Sequence, residues 1–131
     1  VLAGLSPAER RSRSDEMLKR LNLWERESHL PQQLSGGQRQ RVAIGRAVVM
    51  KPELLFADEP TGNLDSRSGR EVMELLEELN RSGITLLMVT HDTVLGARAQ
   101  RRIVFGDGRI SSDSRDVDLH QPGESGGPAY A

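Results

Sequence analysis

Apolar residues along this chain fall into two patterns, helical stripes and short unbroken runs, separated by glycine, proline and small polar residues. Val72, Leu75, Leu76 and Leu79 recur at i, i+3, i+4 and i+7 and predict an amphipathic helix over Ser66 to Arg81, closed by Ser82-Gly83. Met17, Leu18 and Leu21 line one side of a helix predicted from Pro7 to Leu23. Its start is well built, with Ser6 as capping residue, Pro7 at the first helical position and Glu9 at the third. Ser35-x-x-Gln38 is a second such start, and Val42, Ala43, Ile44, Ala47 and Val48 supply the apolar side of a helix over Ser35 to Met50, stopped by Lys51-Pro52. Glu53 to Asp58 and Ile84 to Thr90 are compact apolar runs and read as buried strands. A short helix over Asp92 to Ala99 and a strand over Arg102 to Phe105 follow. Asp107-Gly108 then signals a tight turn into Arg109-Ile110, a small hairpin. Glu25 to Gln33 has loop character. From Ser111 onward there is little to bury, which predicts a disordered tail.

Strand, helix, strand, helix, strand is the order of an α/β fold with a parallel sheet, whose active groups gather at the carboxyl ends of the strands. At 131 residues the chain suits one modest domain. A net charge of -1 offers no uniform basic field for nucleic acid. The basic face of the first helix (Arg10, Arg11, Arg13, Lys19, Arg20) reads as solvated surface in preference to a polyanion site. The absence of cysteine excludes disulfides and thiolate metal sites. The apolar runs are too short to span a bilayer, and no secretory signal opens the chain. It begins at Val1 in what reads as mid-protein sequence, so a fragment is expected.

The candidate chemistry lies at the element ends. Asp58 and Glu59 terminate an apolar strand, where burial penalises paired charges unless something compensates, as a magnesium ion and its waters would. Alone, Glu59-Pro60 is equally consistent with the start of a surface turn. Ser35-Gly36-Gly37 opens a helix, where backbone N–H groups and the positive end of the dipole face an anion together and two glycines let a phosphate approach. Taken singly, it is also the composition of a flexible linker, and the capping box that follows favours the anion reading. His91, at a strand end, is structural or catalytic. Asp65 caps the Ser66 helix whatever else it does. His29 and His120 read as surface residues, and Arg39 and Arg41 as the exposed face of the Ser35 helix.

Leu34-Ser35-Gly36-Gly37-Gln38, Leu54-Leu55-Phe56-Ala57-Asp58-Glu59-Pro60, Gly62-Asn63-Leu64-Asp65 and Val89-Thr90-His91-Asp92 stand in this order. Together they resemble the ATP-binding-cassette (ABC) ATPases: signature motif, Walker B, D-loop and switch histidine. The resemblance runs from about Leu5 to Ile110. It implies the C-terminal part of a P-loop NTPase domain, α/β with a mainly parallel sheet. Residues 1–50 would be part of a helical subdomain that includes the signature helix, residues 51–110 the C-terminal part of the ATPase core, and residues 111–131 the tail. By that resemblance Asp58 orients Mg2+, usually through water, Glu59 polarises the attacking water as general base, and His91 reaches the γ-phosphate. Ser35, Gly36, Gly37 and Gln38 face ATP held on a second subunit, with Asp65 coupling the two subunits. The implied cofactors are ATP and Mg2+.

Departures from the family pattern matter equally. No G-x-x-x-x-G-K-[ST] loop is present, and Lys19 and Lys51 each follow a non-glycine residue. The adenine-stacking aromatic and the glutamine loop are also absent from this sequence. In the family's sheet order the Walker A strand lies between the strands at Ile84–Thr90 and Arg102–Phe105, so a gap in the sheet is expected there. The segment alone is expected to bind ATP weakly or not at all and to be poorly stable. Ala57 to Ser66, with Glu78-Leu79-Asn80 and Thr90-His91-Asp92, resembles the branch serving lipoprotein release, macrolide or peptide export, and cell division. That implies a cytoplasmic ATPase, peripheral on the inner face of the membrane, docked on a permease subunit or domain and working as a head-to-tail dimer, without nucleic acid. One rival is a soluble ABC ATPase acting on ribosomes or DNA, whose relatives carry Asn-His where Gly62-Asn63 stands or insert long coiled coils. Another is a truncated, non-enzymatic remnant, against which intact Asp58, Glu59 and His91 speak.

Overall fold

The structure, a computed structural model, describes residues 4–115. The chain divides into two units, Val1–Val89 and a second from Thr90 on. The first holds α1 (Pro7–Arg20), 3-10 turns at Trp24–Arg26 and Pro31–Gln33, α2 (Gly36–Val48), β1 (Leu54–Asp58), α3 (Ser66–Arg81) and β2 (Thr85–Val89). The second holds α4 (Thr93–Gly96), β3 (Arg101–Gly106) and β4 (Arg109–Arg115).

The helix starts form as their sequences dictate. Ser6 closes a capping box with Glu9, and Ser35 closes one with Gln38, each side-chain oxygen taking an orphan N–H of the first turn. Asp65 caps α3 by accepting from the N–H groups of Arg67 and Ser68. α1 ends three residues earlier than predicted because Asn22 turns left-handed at φ 55, which drops Leu21 and Leu23 into the core. Around them pack Ile44 and Val48 of α2, Leu55 of β1, and Val72, Met73, Leu75, Leu76 and Leu79 of α3. α3 is therefore the central element of this unit, as its apolar stripe requires.

β1 and β2 pair in parallel, from Leu54 opposite Thr85 to Asp58 opposite Val89. They are not the buried strands expected. Leu55 is covered, but Leu54, Phe56, Leu87 and Val89 are 44%, 68%, 46% and 56% exposed. A parallel sheet is buried only when layers cover both faces. Here the described residues supply a helical layer on one side alone, so alternate side chains stay in solvent.

In the second unit β3 and β4 form an antiparallel hairpin with a bulge between Val104 and Phe105. Asp107 and Gly108 turn it at φ 49 and 73, the positive values that a two-residue hairpin turn demands. β4 continues through Ser111–Arg115, where disorder was expected. Strand pairing supplies what composition did not show, and Arg101 adds a two-pronged bond to Asp113 at 3.0 and 2.7 Å. Residues 116–131, with His120, lie outside the described residues. β3 pairs with β4 and not with β2, so among the described residues the parallel sheet stops at two strands, where a gap was expected. Among the described residues no helix is long and apolar enough to cross a membrane.

Candidate functional site

The acidic strand end is built by β1. Asp58 is exposed at its carboxyl end, opposite Val89. Glu59 carries the ladder one step further, its N–H donating to the Val89 carbonyl at 2.9 Å, and then turns left-handed at φ 43. A long non-glycine side chain rarely adopts that region, and such strain persists where the surroundings hold it in place. They do so here: the Glu59 carbonyl accepts from the Gly62 N–H at 3.1 Å, and Pro60 is buried. A Cβ on Gly62 would stand 3.6 Å from the Glu59 Cβ and 4.0 Å from Oε2, both ordinary contact distances. The surface turn entertained for Glu59-Pro60 does exist, and it fixes the glutamate backbone.

The second cluster is the meeting of two helix starts. Ser35 is exposed; its hydroxyl accepts from the Gln38 N–H at 3.2 Å while its own N–H donates to Gln38 Oε1 at 2.9 Å. Gln38 thus has a structural task, closing the cap. Gly36 is half-buried, and a Cβ there would meet only Leu64 Cδ2, at 3.4 Å. Gly37 is buried, and a Cβ there would lie 2.9 Å from the Ser68 Cβ and 3.0 Å from its Oγ. For Gly37, then, the absent side chain serves the approach of α3. Across this contact, Asp65 Oδ1 accepts the N–H groups of Arg67 and Ser68, both at 3.0 Å. The Ser68 N–H, then its hydroxyl, and more weakly the Arg67 N–H hold the Asp65 carboxyl below the usual aspartate range.

One turn further, the two helices are tied by charge. Arg41 of α2 donates from Nη2 to Glu71 Oε2 of α3, and Arg67 Nε reaches Glu71 Oε1 at 3.2 Å. Arg41 was expected on the exposed helix face. Instead its side chain is 16% exposed, because the face it occupies is the one α3 covers. Arg39 is exposed as expected and donates to the Leu34 carbonyl at 2.7 Å. His29, expected at the surface, is half-buried, with Nε2 3.1 Å from Arg26.

The structure thus brings Ser35, Gly36, Gly37 and Gln38 together with Asp65 at one edge, and Asp58 with Glu59 at one strand end. His91 belongs to the second unit, exposed and next to Asp92, which caps α4 by accepting from Val94 and Leu95. Among the described residues no three His, Cys, Asp or Glu side chains gather as a metal cage. Mg2+ takes one or two carboxylates and fills its octahedron with water and phosphate oxygens. The exposed Asp58 carboxylate is a donor of the right kind. Ser68 and Glu71 were not singled out from sequence, and Arg41 was read there only as exposed helix face. Ser68 stands three residues after a capping aspartate, which is a signal for its N–H bond. Nothing in the periodicity marks a pairing between Arg41 and a residue 30 positions on.

Comparison with known proteins bears on this geometry. The sequence model of the ABC transporter family matches residues 4–62. The chain is 53% identical over 114 residues to a macrolide export ATP-binding/permease protein, MacB 2, of Aeromonas hydrophila, matching 87% of this chain and 18% of that protein. It is 51% identical to the MacB protein of Nitrosomonas europaea, matching 95% of the chain and again 18% of the relative. Among solved structures it resembles the ATP-binding cassette MJ0796, seen as a dimer in a post-hydrolysis state with ADP and Pi, with a TM-score of 0.72 at 43% identity over 88% of this chain and 50% of that one. It also resembles cbiO1 of Clostridium perfringens, part of the transporter complex cbiONQ, with a TM-score of 0.80 at 33% identity over 90% of this chain and 48% of that one. The chain spans about a fifth of the curated relatives' length and about half of the solved cassettes.

Proposed function

We propose, from the premise that this chain belongs to the ABC transporter ATP-binding family, that it supplies part of an ATP-hydrolysing subunit whose closing and reopening drives a membrane permease. Residues 1–50 act as part of the helical subdomain and residues 51–110 as part of the ATPase core. The parent protein sits on the inner face of the membrane, its permease a subunit or a fused domain, and works as a head-to-tail pair of ATPase units. Similarity to MacB proteins at about half identity favours an export branch over the ribosome- and DNA-acting relatives.

The observation that carries the reading is Glu59, held left-handed and tied to β2 at the carboxyl end of a parallel strand. Active groups of open α/β sheets lie there, and a strained, over-determined backbone is where a catalytic side chain is aimed. Glu59 serves as general base, its carboxylate taking a proton from the attacking water. Asp58 orients Mg2+, which would supply charge neutralisation at the phosphates. By the resemblance, His91 takes the role of the switch histidine, which reaches the γ-phosphate. Ser35 and the first-turn N–H groups of α2, which have no carbonyl partner inside the helix, offer an anion-facing edge to ATP held by the second subunit, beside Asp65. The lysine-bearing phosphate loop is not in this sequence, so the chain alone turns over no ATP.

Substitution of Glu59 by glutamine in the intact parent protein tests the assignment. Loss of a positioned general base costs on the order of 100- to 10,000-fold in turnover while nucleotide stays bound. Turnover at the wild-type rate in that variant removes Glu59 from the chemistry. Robust turnover by the 131-residue chain would equally remove the claim that it is inactive alone.

A further inference from the structure

Two helix starts that face the same ligand must keep a fixed spacing, and this structure shows a close contact between them at Gly37 and Ser68. We propose that Ser68 is a positioning residue for the signature turn: its Cβ, pressed against Gly37, sets how closely α2 approaches α3, so that the N–H groups of α2 and the carboxylate of Asp65 form one rigid edge. The proposal rests on the functional reading above and adds a residue and a distance to it.

The contact is tight and cannot easily give. Gly37 is buried, and a Cβ on it would lie 2.9 Å from Ser68 Cβ, 3.0 Å from Oγ and 3.7 Å from Cα. Carbon atoms rest about 3.5–4.0 Å apart, so a methyl group 2.9 Å from the Ser68 Cβ requires a displacement of about 0.6–1.1 Å. Ser68 cannot swing away, because it is the Cβ and not the end of a long side chain that is met. α3 cannot retreat, because Val72, Met73, Leu75 and Leu76 anchor it one turn on, and Arg41 of α2 is bound to Glu71. The displacement must therefore fall on the start of α2, where the cap of Ser35 and the phosphate-facing N–H groups lie. Gly36 differs, since its added Cβ meets only the flexible tip of Leu64.

Misplacing a positioned group by about 1 Å costs on the order of a hundredfold in rate. In the intact parent protein, Gly37→Ala is expected to lose ATP turnover by about tenfold to a hundredfold. Affinity for a fluorescent ATP analogue, set by the subunit's own phosphate loop, should change by less than about threefold. The decisive comparison is the background. With Ser68→Gly, which has no Cβ, adding Gly37→Ala costs no further turnover. With Ser68→Ala, which keeps the Cβ and loses only the hydroxyl, it costs the full factor. Thermal unfolding of the same variants reads the contact without ATP: Gly37→Ala lowers Tm in the wild-type and Ser68→Ala backgrounds and leaves it unchanged with Ser68→Gly. Equal losses in all three backgrounds, or a Gly37→Ala variant with wild-type turnover, overturn the proposal while the functional reading stands. A wild-type parent that does not hydrolyse ATP, or a Glu59→Gln variant that does so normally, overturns the reading itself, and the Tm pattern still reports on the contact.

Discussion

Glu71 takes two arginines whose surroundings differ, and that difference gives an expectation with numbers. Arg41 is 16% exposed and Arg67 is 85% exposed, while Glu71 itself is 38% exposed. An exposed pair is worth about 0–1 kcal/mol, because water screens it and two long side chains must be held still. Breaking a fully buried pair from one side costs about 3–5 kcal/mol, mostly for the charge left behind. Arg41–Glu71 lies between these limits, and Arg41 also makes a long 3.5 Å bond from Nη1 to the Leu21 carbonyl. Glu71→Ala should therefore cost about 1.5 kcal/mol, after discounting the buried-pair figure for the exposed carboxylate. Arg41→Met removes the charge and keeps the apolar stem, so it should cost less, about 0.5–1 kcal/mol. Arg67→Ala should fall below about 0.5 kcal/mol.

Urea unfolding of the 131-residue chain measures this series, and its single tryptophan, Trp24, lies in the same unit. With a slope near ~1.5 kcal/mol per molar, Glu71→Ala lowers the midpoint by about 1 M and Arg67→Ala by a third of that or less. Arg41→Met/Glu71→Ala should unfold close to Arg41→Met alone, since the cost of Glu71→Ala is the stranded guanidinium. Equal, small shifts for Glu71→Ala and Arg67→Ala would refute the reasoning, because they would mean that Arg41 finds water as readily as Arg67 does.

Two further expectations follow from burial and titration. The Asp65 carboxyl is held below its ordinary value by the N–H and hydroxyl of Ser68 and the N–H of Arg67, so its contribution is complete above the unfolded aspartate range near ~4 and is lost as pH falls through the lower folded value. Asp65→Asn caps a helix equally well without titrating; unfolding midpoints between pH 2 and 5 should show a shallower acid loss in that variant, and an unchanged acid limb contradicts the assignment. Leu76→Ala, at a site 1% exposed, should cost about 2–5 kcal/mol in this chain, whereas Phe56→Ala, at 68% exposed, should cost about 1 kcal/mol or less. Equal costs in denaturant melts would contradict the one-sided packing of the sheet.

What the sequence made legible is what local chemistry decides. The caps at Ser6, Ser35 and Asp65 place helix starts to the residue, since a side chain that can take an orphan N–H settles the backbone there. The apolar stripe of α3 reproduces its observed span, Ser66–Arg81. Burial of β1 and β2 was not legible, because a run such as Leu54-Leu55-Phe56 looks the same whether or not a second layer is present to cover it. The strand over Ser111–Arg115 was hidden for the opposite reason: serine and aspartate are poor strand formers, and pairing with β3 overrides them. At the site, the motifs marked Ser35, Gly37, Asp58, Glu59 and Asp65. That Gly37 is filled from behind by Ser68, and that Arg41 faces α3, are consequences of helix packing, which no spacing in one segment records.

The candidate groups differ in what supports them, and the difference bears on how this chain behaves. The edge made by Ser35, Gly37, Ser68 and Asp65 is closed within residues 1–89: both helix starts are capped, their contact is tight, and a charged tie lies one turn beyond. The strand end carrying Asp58 and Glu59 rests on a two-stranded sheet with one face of Leu54, Phe56, Leu87 and Val89 in water. Few buried contacts and exposed backbone bonds put a segment at the low end of local stability. Glu59 in its left-handed conformation is the point where stored strain is released first if that sheet loosens. The edge at the start of α2 therefore keeps its geometry on the strength of this sequence alone, while the carboxylates of Asp58 and Glu59 need a second layer over the sheet before their orientation is fixed. A rate that depends on the aim of these carboxylates is therefore sensitive to that missing layer, in addition to the absence of a lysine-bearing phosphate loop from this sequence.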